Sequence, residues 1–205
     1  MNNTHYLQVP FLETDLERIK VGDLVYLTGE IIVTVGLPTH ERIKNYVDNS
    51  QELPFDFNNS MLCQVGCYVE EKNGDLISRY INPSTSTRFE PYLPTIIKGT
   101  NLKAIGGKGG VGPKTIEAMK AKKCVYMSFV GGASALTSEA VKEVLDVKWT
   151  DFIMQFRLIK LRIEQLGPLN VGVDIYGNSL YANLKHSAEE KFEDLMEELN
   201  RNRQT

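Results

Sequence analysis

Residues 102–132 read LKAIGGKGGVGPKTIEAMKAKKCVYMSFVGG, and this stretch decides the fold. Leu102 to Ile105 is a short apolar strand, Gly106 to Gly112 a loop, and Pro113 to Ala121 a helix with proline at its start. Val125 to Val130 is a second apolar strand, closed by a Gly131-Gly132 turn. Strand, loop, helix and strand in about thirty residues is the β-α-β pattern of an α/β domain. Downstream, Ala133 to Val144 reads as a helix, 156–164 and 169–175 as strands, and Tyr176-Gly177-Asn178 as a turn. Upstream, Thr14 caps a short helix through Lys20, and Leu24 to Val35 is a β-branched strand broken at Gly29. Pro38 opens an amphipathic helix with Ile43 and Val47 on one face, and strands at 61–70 and 76–81 flank the hairpin signal Asn73-Gly74. Hairpins first and β-α units later predict one α/β domain with a mixed sheet over 1–184. Residues 185–205 form a charged terminal helix and tail, with Phe192, Leu195, Met196 and Leu199 on a stripe suited to docking.

The composition agrees with one globular domain. The 205 residues are 42% hydrophobic and 24% charged, which supports a real core and excludes a disordered chain. Its 23 basic and 26 acidic side chains leave a net charge of −3, so there is no polybasic footprint for nucleic acid. No apolar run is long enough to cross a membrane. The start, Met1-Asn2-Asn3-Thr4-His5, lacks the regions of a signal peptide, and a cytoplasmic protein is expected. Cys63 and Cys67 form a C-x3-C pair with Cys124 far downstream, a count that invites an iron–sulfur site. All three fall in apolar stretches, where free cysteine is an ordinary core residue, and the core reading fits better.

Two segments carry candidate chemistry. The loop Gly106-Gly107-Lys108-Gly109-Gly110-Val111-Gly112 precedes a helix N-terminus, a setting that offers backbone amides to an anion. It nearly spells a phosphate-binding loop, but Pro113 separates Gly112 from Lys114, which moves the lysine and removes an N–H. A small anion such as a carboxylate, met by Lys108 and the loop amides, is one reading. A tight turn with a solvated lysine is the other. In Asn82-Pro83-Ser84-Thr85-Ser86-Thr87-Arg88, Ser84 and Arg88 are four apart and share a face if the stretch begins a helix. Arginine pairs with carboxylates through two parallel hydrogen bonds. A hydroxyl one turn away then reaches the neighbouring atom, although hydroxyls at such positions also serve simply as helix caps.

Taken together, these segments resemble the class I fumarase and L-tartrate dehydratase family. Pro83-Ser84-Thr85-Ser86-Thr87-Arg88 is similar to its Gly-Pro-Thr-Thr-x-x-Arg-Met segment. The Gly-Lys-Gly around Lys108 has a counterpart at matching distance, and Cys124-Val125-Tyr126 followed by Val130-Gly131-Gly132-Ala133 resembles a later one. Gly172-Val173-Asp174, Tyr176-Gly177-Asn178, Val21-Gly22-Asp23 and Leu53-Pro54-Phe55-Asp56 also have counterparts, so the likeness runs in order over roughly 10–184. It is specific to the β subunit, equivalent to the C-terminal domain of one-chain enzymes. The resemblance implies a swivelling β/β/α domain and reversible loss of water from a hydroxy-dicarboxylate of the malate/fumarate or tartrate type. It implies a 4Fe-4S cluster held by an α subunit, with none held by this chain's cysteines, and an αβ hetero-oligomer inactive without α. By position, Ser84 falls on the family's catalytic threonine, and Arg88 and Lys108 on substrate-binding residues. Thr85 and His40 are the further substrate-binding candidates.

The resemblance also has departures. Ser84 replaces threonine and keeps the hydroxyl. In Val35-Gly36-Leu37-Pro38-Thr39-His40, where the family reads Gly-Arg-Asp-x-Ala-His, the arginine position holds Gly36 and the aspartate position Leu37. Losing a charged contact to a substrate carboxylate costs roughly 2–5 kcal/mol unless something compensates. An altered substrate, or a non-catalytic or regulatory subunit, is therefore the alternative to the hydro-lyase reading. A nucleotide-binding module built on the glycine loop is the third.

Overall fold

The structure, a computed structural model, describes residues 3–203, so Met1, Asn2, Gln204 and Thr205 lie outside the described residues. In chain order the elements are β1 (Thr4–Val9), α1 (Glu13–Arg18), β2 (Leu24–Val33), α2 (Leu37–Asp48), β3 (Met61–Cys63), β4 (Val65–Lys72) and β5 (Asp75–Pro83). There follow α3 (Leu93–Gly99), β6 (Ala104–Gly107), α4 (Pro113–Lys122), β7 (Val125–Ser128), α5 (Ser134–Glu139), β8 (Val141–Lys148), β9 (Leu158–Val173) and α6 (Leu180–Arg203). Among the described residues, seven strands form a mixed sheet in the order β1-β2-β3-β6-β7-β9-β8, and β4 and β5 form a separate hairpin. Strand β9 also pairs with β2, so the ladder β2-β3-β6-β7-β9 returns on itself.

The central strands are parallel and buried on both faces, which is why they read as continuous apolar runs. Alternation along each strand serves two cores. Met61, Cys63, Ala104, Val125 and Met127 face a core shared with Leu16 of α1, Ile19 just beyond it, and Val69 and Ile81 of the hairpin. Leu62, Ile105 and Tyr126 face a second core beneath Ile43 of α2, Ile96 of α3 and Met119 of α4. Asn73 and Gly74 both take positive φ, 55° and 86°, as a tight hairpin turn requires.

Several elements differ from the sequence-based expectation. The helix expected over 133–144 stops at Glu139, and Val141 begins strand β8. Long β9 needs an edge partner, and a segment with Val141, Val144 and Val147 supplies one. The strands expected at 156–164 and 169–175 are one strand, irregular near Gln165, where φ is 49°. A parallel edge strand, β1, precedes the first expected element. Thr14 lies inside α1 rather than capping it. The expected terminal helix is present, starts at Leu180, and leaves its stripe uncovered by its own chain.

Candidate functional site

Strands β2, β3, β6 and β7 run parallel, and in such sheets ligands bind beyond the carboxyl ends of the strands. The segments leaving those ends are Thr34–Gly36, Gln64, Lys108 and Phe129–Gly131, and they converge with the end of β5. The convergence is stitched by main chain. Ser84 N–H donates to Gln64 O at 2.8 Å, Lys108 N–H to Ser84 O at 3.0 Å, and Ser86 N–H to Lys108 O at 2.8 Å. Thr85 and Lys108 therefore form an isolated parallel bridge. Two segments some twenty residues apart are locked in register, which places Ser84, Thr85 and Lys108 side by side without any help from side chains. Arg88 follows in a short 3-10 helix, Ser86–Phe89, whose turn is closed by Arg88 N–H to Thr85 O at 3.3 Å.

These residues wall a cavity of about 320 Å³. Ser84, Thr85, Arg88 and Lys108 line one side, and Val35, Gly66, Asn82 and Gln155 are among the residues opposite and around them. Ser84 and Arg88 share the cavity although Ser84 is extended rather than helical. Gly131 lies beside the lysine stem, where a Cβ would make ordinary van der Waals contact with Lys108 Cδ at 3.5 Å. Neither the Arg88 guanidinium nor the Lys108 ammonium has an ion pair or hydrogen bond within the chain among the described residues. Two other arginines are engaged within the chain. Arg42 pairs with both carboxylate oxygens of Asp151, at 3.0 and 2.6 Å, and lies over the Phe152 ring. Arg157 donates to the carbonyls of Phe152 and Thr150. Two unspent cations lining one cavity with a hydroxyl have the chemistry to accept a small carboxylate.

The glycine loop works differently from the anion cradle its sequence suggests. Glu90 reaches the N-terminus of α4, where its carboxylate accepts from Gly112 N–H at 2.8 Å, Thr115 N–H at 3.1 Å and the Thr115 hydroxyl at 2.7 Å. The helix-start anion site is thus filled by the chain's own carboxylate, which removes the geometry a nucleotide phosphate needs. Nearby, the buried hydroxyls of Ser86 and Tyr126 are 2.8 Å apart. Gly110 takes φ of 76°, and a Cβ there would stand 2.6 Å from the Tyr181 ring. Of the loop, only Lys108 reaches the cavity wall.

His40 is not on that wall. It is fully buried in α2, with Nδ1 2.7 Å from Gly36 O and its ring 4.2 Å from that of Phe89. Nε2 has no hydrogen-bond partner among the described residues, so a protonated ring would bury an unmet donor. Burial pushes its pKa down to about 4 against an ordinary 6.5, and it is neutral at pH 7. Its position makes it a brace for the turn at Gly36 rather than a contact of the cavity. Because the folded pKa lies below the unfolded one, the neutral ring's stabilisation is complete above about pH 6.5 and is lost as pH falls toward 4. Urea titrations at pH 7.5 and 4.5 are expected to show a stability loss from this residue of roughly 2–3 kcal/mol. His40→Leu should remove that part of the pH dependence.

Gly36 is packed into place. A Cβ there would stand 2.7 Å from Phe156 Cβ, 3.0 Å from Phe156 Cα and 2.4 Å from Thr39 Oγ1. The segment carrying Phe156 is tied down by Thr34 and Thr39 hydroxyls donating to Phe156 O and by Val35 N–H donating to Gln155 O. The wall where the family resemblance puts an arginine is thus closed by this segment, whose Gln155 faces the cavity. Sequence reasoning missed Glu90, Tyr126, Gln64 and Gln155. Glu90 precedes Thr115 by twenty-five residues, and no local pattern announces such a cap.

The cysteines do not gather. Cys63, Cys67 and Cys124 are all buried and free, and burial raises their thiol pKa values, for Cys124 to about 12. Among the described residues no three His, Cys, Asp or Glu side chains group as metal ligands.

Comparison with known proteins shows the family. The fumarase C-terminus family matches residues 3–184. The chain is 34% identical over 196 residues to L(+)-tartrate dehydratase subunit beta of Escherichia coli K12, covering 94% of each chain. A Methanocaldococcus jannaschii protein provisionally named for the same subunit is 33% identical, over 89% of this chain and 93% of its own. A Geobacillus stearothermophilus protein provisionally named fumarate hydratase class I is 31% identical over 93% of this chain, which spans only 36% of that longer protein. The chain belongs to the fumarase C-terminus family, as a β subunit of the class I fumarase and tartrate dehydratase type.

Proposed function

We propose that this chain supplies half of a hydro-lyase active site, acting on a small hydroxy acid that carries at least one carboxylate. The observation that carries the reading is the pair of unspent cations, Arg88 and Lys108, set by main-chain hydrogen bonds around the Ser84 hydroxyl. Loss of water from a hydroxy acid begins with a proton on the carbon beside a carboxylate. Removing that proton spreads negative charge onto the carboxylate oxygens, and fixed cations in a walled site stabilise it. In this reading Arg88 and Lys108 grip the carboxylate, Thr85 shapes the wall beside them, and Ser84 Oγ moves the proton. A serine hydroxyl is a weak base, and neighbouring positive charge is what makes it effective.

The chain's own cysteines do not suit an iron–sulfur cluster, being buried with raised thiol pKa values. The 4Fe-4S cluster that the family resemblance implies belongs in this proposal to an α subunit, where it would supply Lewis acidity at the substrate hydroxyl. The shallow, open wall around Ser84 fits a site completed by a second subunit. Among the described residues no helix is long and apolar enough to cross a membrane. Three free thiols fit a reducing compartment, and we place the αβ enzyme in the cytoplasm.

The closed wall at Gly36 favours a second strand to the proposal: a substrate other than fumarate. Arg88 and Lys108 are the cations lining the cavity, while Asn82 and Gln155 offer neutral amides. The far end of the substrate is then a hydroxyl-bearing or neutral group, or is held by the α subunit. The test is anaerobic co-expression with the α subunit and assay against malate, tartrate and hydroxy-monocarboxylates. Dehydration by the pair, and by neither chain alone, is expected. Equal turnover by the α subunit without this chain overturns the proposal.

A further inference from the structure

Helix α6 is the element the site does not use. From Ala182 to Arg203 every residue is exposed, and the helix touches the domain only through its first turn. The family model ends at residue 184, early in α6, although the match to the Escherichia coli K12 subunit covers 94% of this chain and runs on into the helix. The helix carries an apolar seam. Ala188, Phe192, Leu195 and Leu199 are spaced by four, three and four residues, the spacing of one face of a coiled coil. Phe192 and Leu195 are 61% and 62% exposed. Helices gain most of their stability from packing such a face, and among the described residues this one has nothing in its own chain to pack on.

The seam is complementary to itself. Laid antiparallel about a two-fold axis between Glu193 and Asp194, Phe192 meets Leu195 of the second copy, and small Ala188 meets large Leu199. The same register brings Lys191 beside Glu198 of the other helix, twice by symmetry. Among the described residues neither of these two has an ion pair within its own chain. Lys185, one heptad before Phe192 at the start of the seam, pairs with Glu189, and His186 pairs with Glu190, so these charges are met within the helix. A parallel pairing would set Ala188 against Ala188, leaving a gap, and Lys191 against Met196. Size and charge both select the antiparallel arrangement, and a face that matches its own copy under a two-fold is the mark of an isologous dimer.

We infer that α6 joins two copies of this chain through an antiparallel two-helix seam centred between Glu193 and Asp194. The arm would thereby link two copies of the domain irrespective of the chemistry at Ser84. Sedimentation equilibrium of the full chain is expected to give a dimer, and Leu195→Glu to weaken it by at least about 100-fold by burying a charge. Because α6 is already exposed, that variant should melt like the parent domain. Lys191→Glu and Glu198→Lys should each weaken the dimer roughly 5-fold, and the double variant should restore it. A chain that stays monomeric at about 100 µM overturns the inference, as does a dimer indifferent to Leu195→Glu. A double variant no tighter than either single one overturns the register and with it the seam. If the chain is monomeric and Leu195→Glu instead loosens the α subunit, the stripe belongs to that partner and the inference is wrong.

Discussion

Replacing Lys108 or Arg88 by alanine is expected to lower kcat/KM of the αβ enzyme by roughly 100- to 1000-fold while leaving the fold intact. Both groups line the cavity, and neither has an ion pair or hydrogen bond in its own chain. Their removal therefore breaks no structural contact, and stability should stay within about 0.5 kcal/mol of the parent. The cost falls instead on the transition state. A tenfold rate loss corresponds to about 1.4 kcal/mol, so each cation is assigned roughly 3–4 kcal/mol of charge stabilisation. Arg88→Lys should recover only part of the loss, because an ammonium does not reproduce the planar two-bond grip on a carboxylate. Steady-state kinetics beside thermal melts of the same preparations separate the two effects. Unchanged turnover in both alanine variants would remove the assigned roles, and a parallel drop in stability would make them structural.

Gly36→Arg is the second large expectation, and its direction runs against the intuition of restoring a family arginine. The new Cβ would stand 2.7 Å from Phe156 Cβ and 3.0 Å from Phe156 Cα, and Phe156 is held by the hydroxyls of Thr34 and Thr39. Main chain rather than a flexible side-chain tip must give way. Overpacking of this kind, together with loss of a Thr39 hydrogen bond, costs about 3–4 kcal/mol. The substitution should lower the denaturation midpoint sharply and disturb Gln155, which shares the moved segment and faces the cavity. Urea unfolding reads the stability, and the pattern of accepted hydroxy acids reads the site. A variant as stable as the parent that gains a dicarboxylate would show that the wall at Gly36 is open.

The polar and apolar pattern alone was enough for the α/β class, the Asn73-Gly74 hairpin and the β6-α4-β7 unit. These rest on neighbours in sequence: strand alternation, a proline at a helix start, two residues tolerant of positive φ. Strand β8 was not legible, because Val141 to Lys148 suits a helix as well as a strand until β9 offers an edge to pair with. His40 shows the same limit. Its position in the motif suggested a substrate contact, whereas its burial against Phe89 and its bond to Gly36 O make it a brace, which only the packing reveals.

The sequence by itself determined which groups this protein has to work with: Ser84, Arg88 and Lys108 at separations shared with a recognisable family. It also determined that three cysteines in apolar runs are core residues in type. The tertiary structure decided what those groups are free to do. Glu90, arriving from another segment, occupies the start of α4 and leaves Lys108 as the loop's one reach into the cavity. Phe156 closes the wall at Gly36 from 120 residues away. Local patterns follow from backbone geometry over a few residues. Which charges stay unpaired, and which walls stay open, depends on long-range contacts that one-dimensional spacing does not encode.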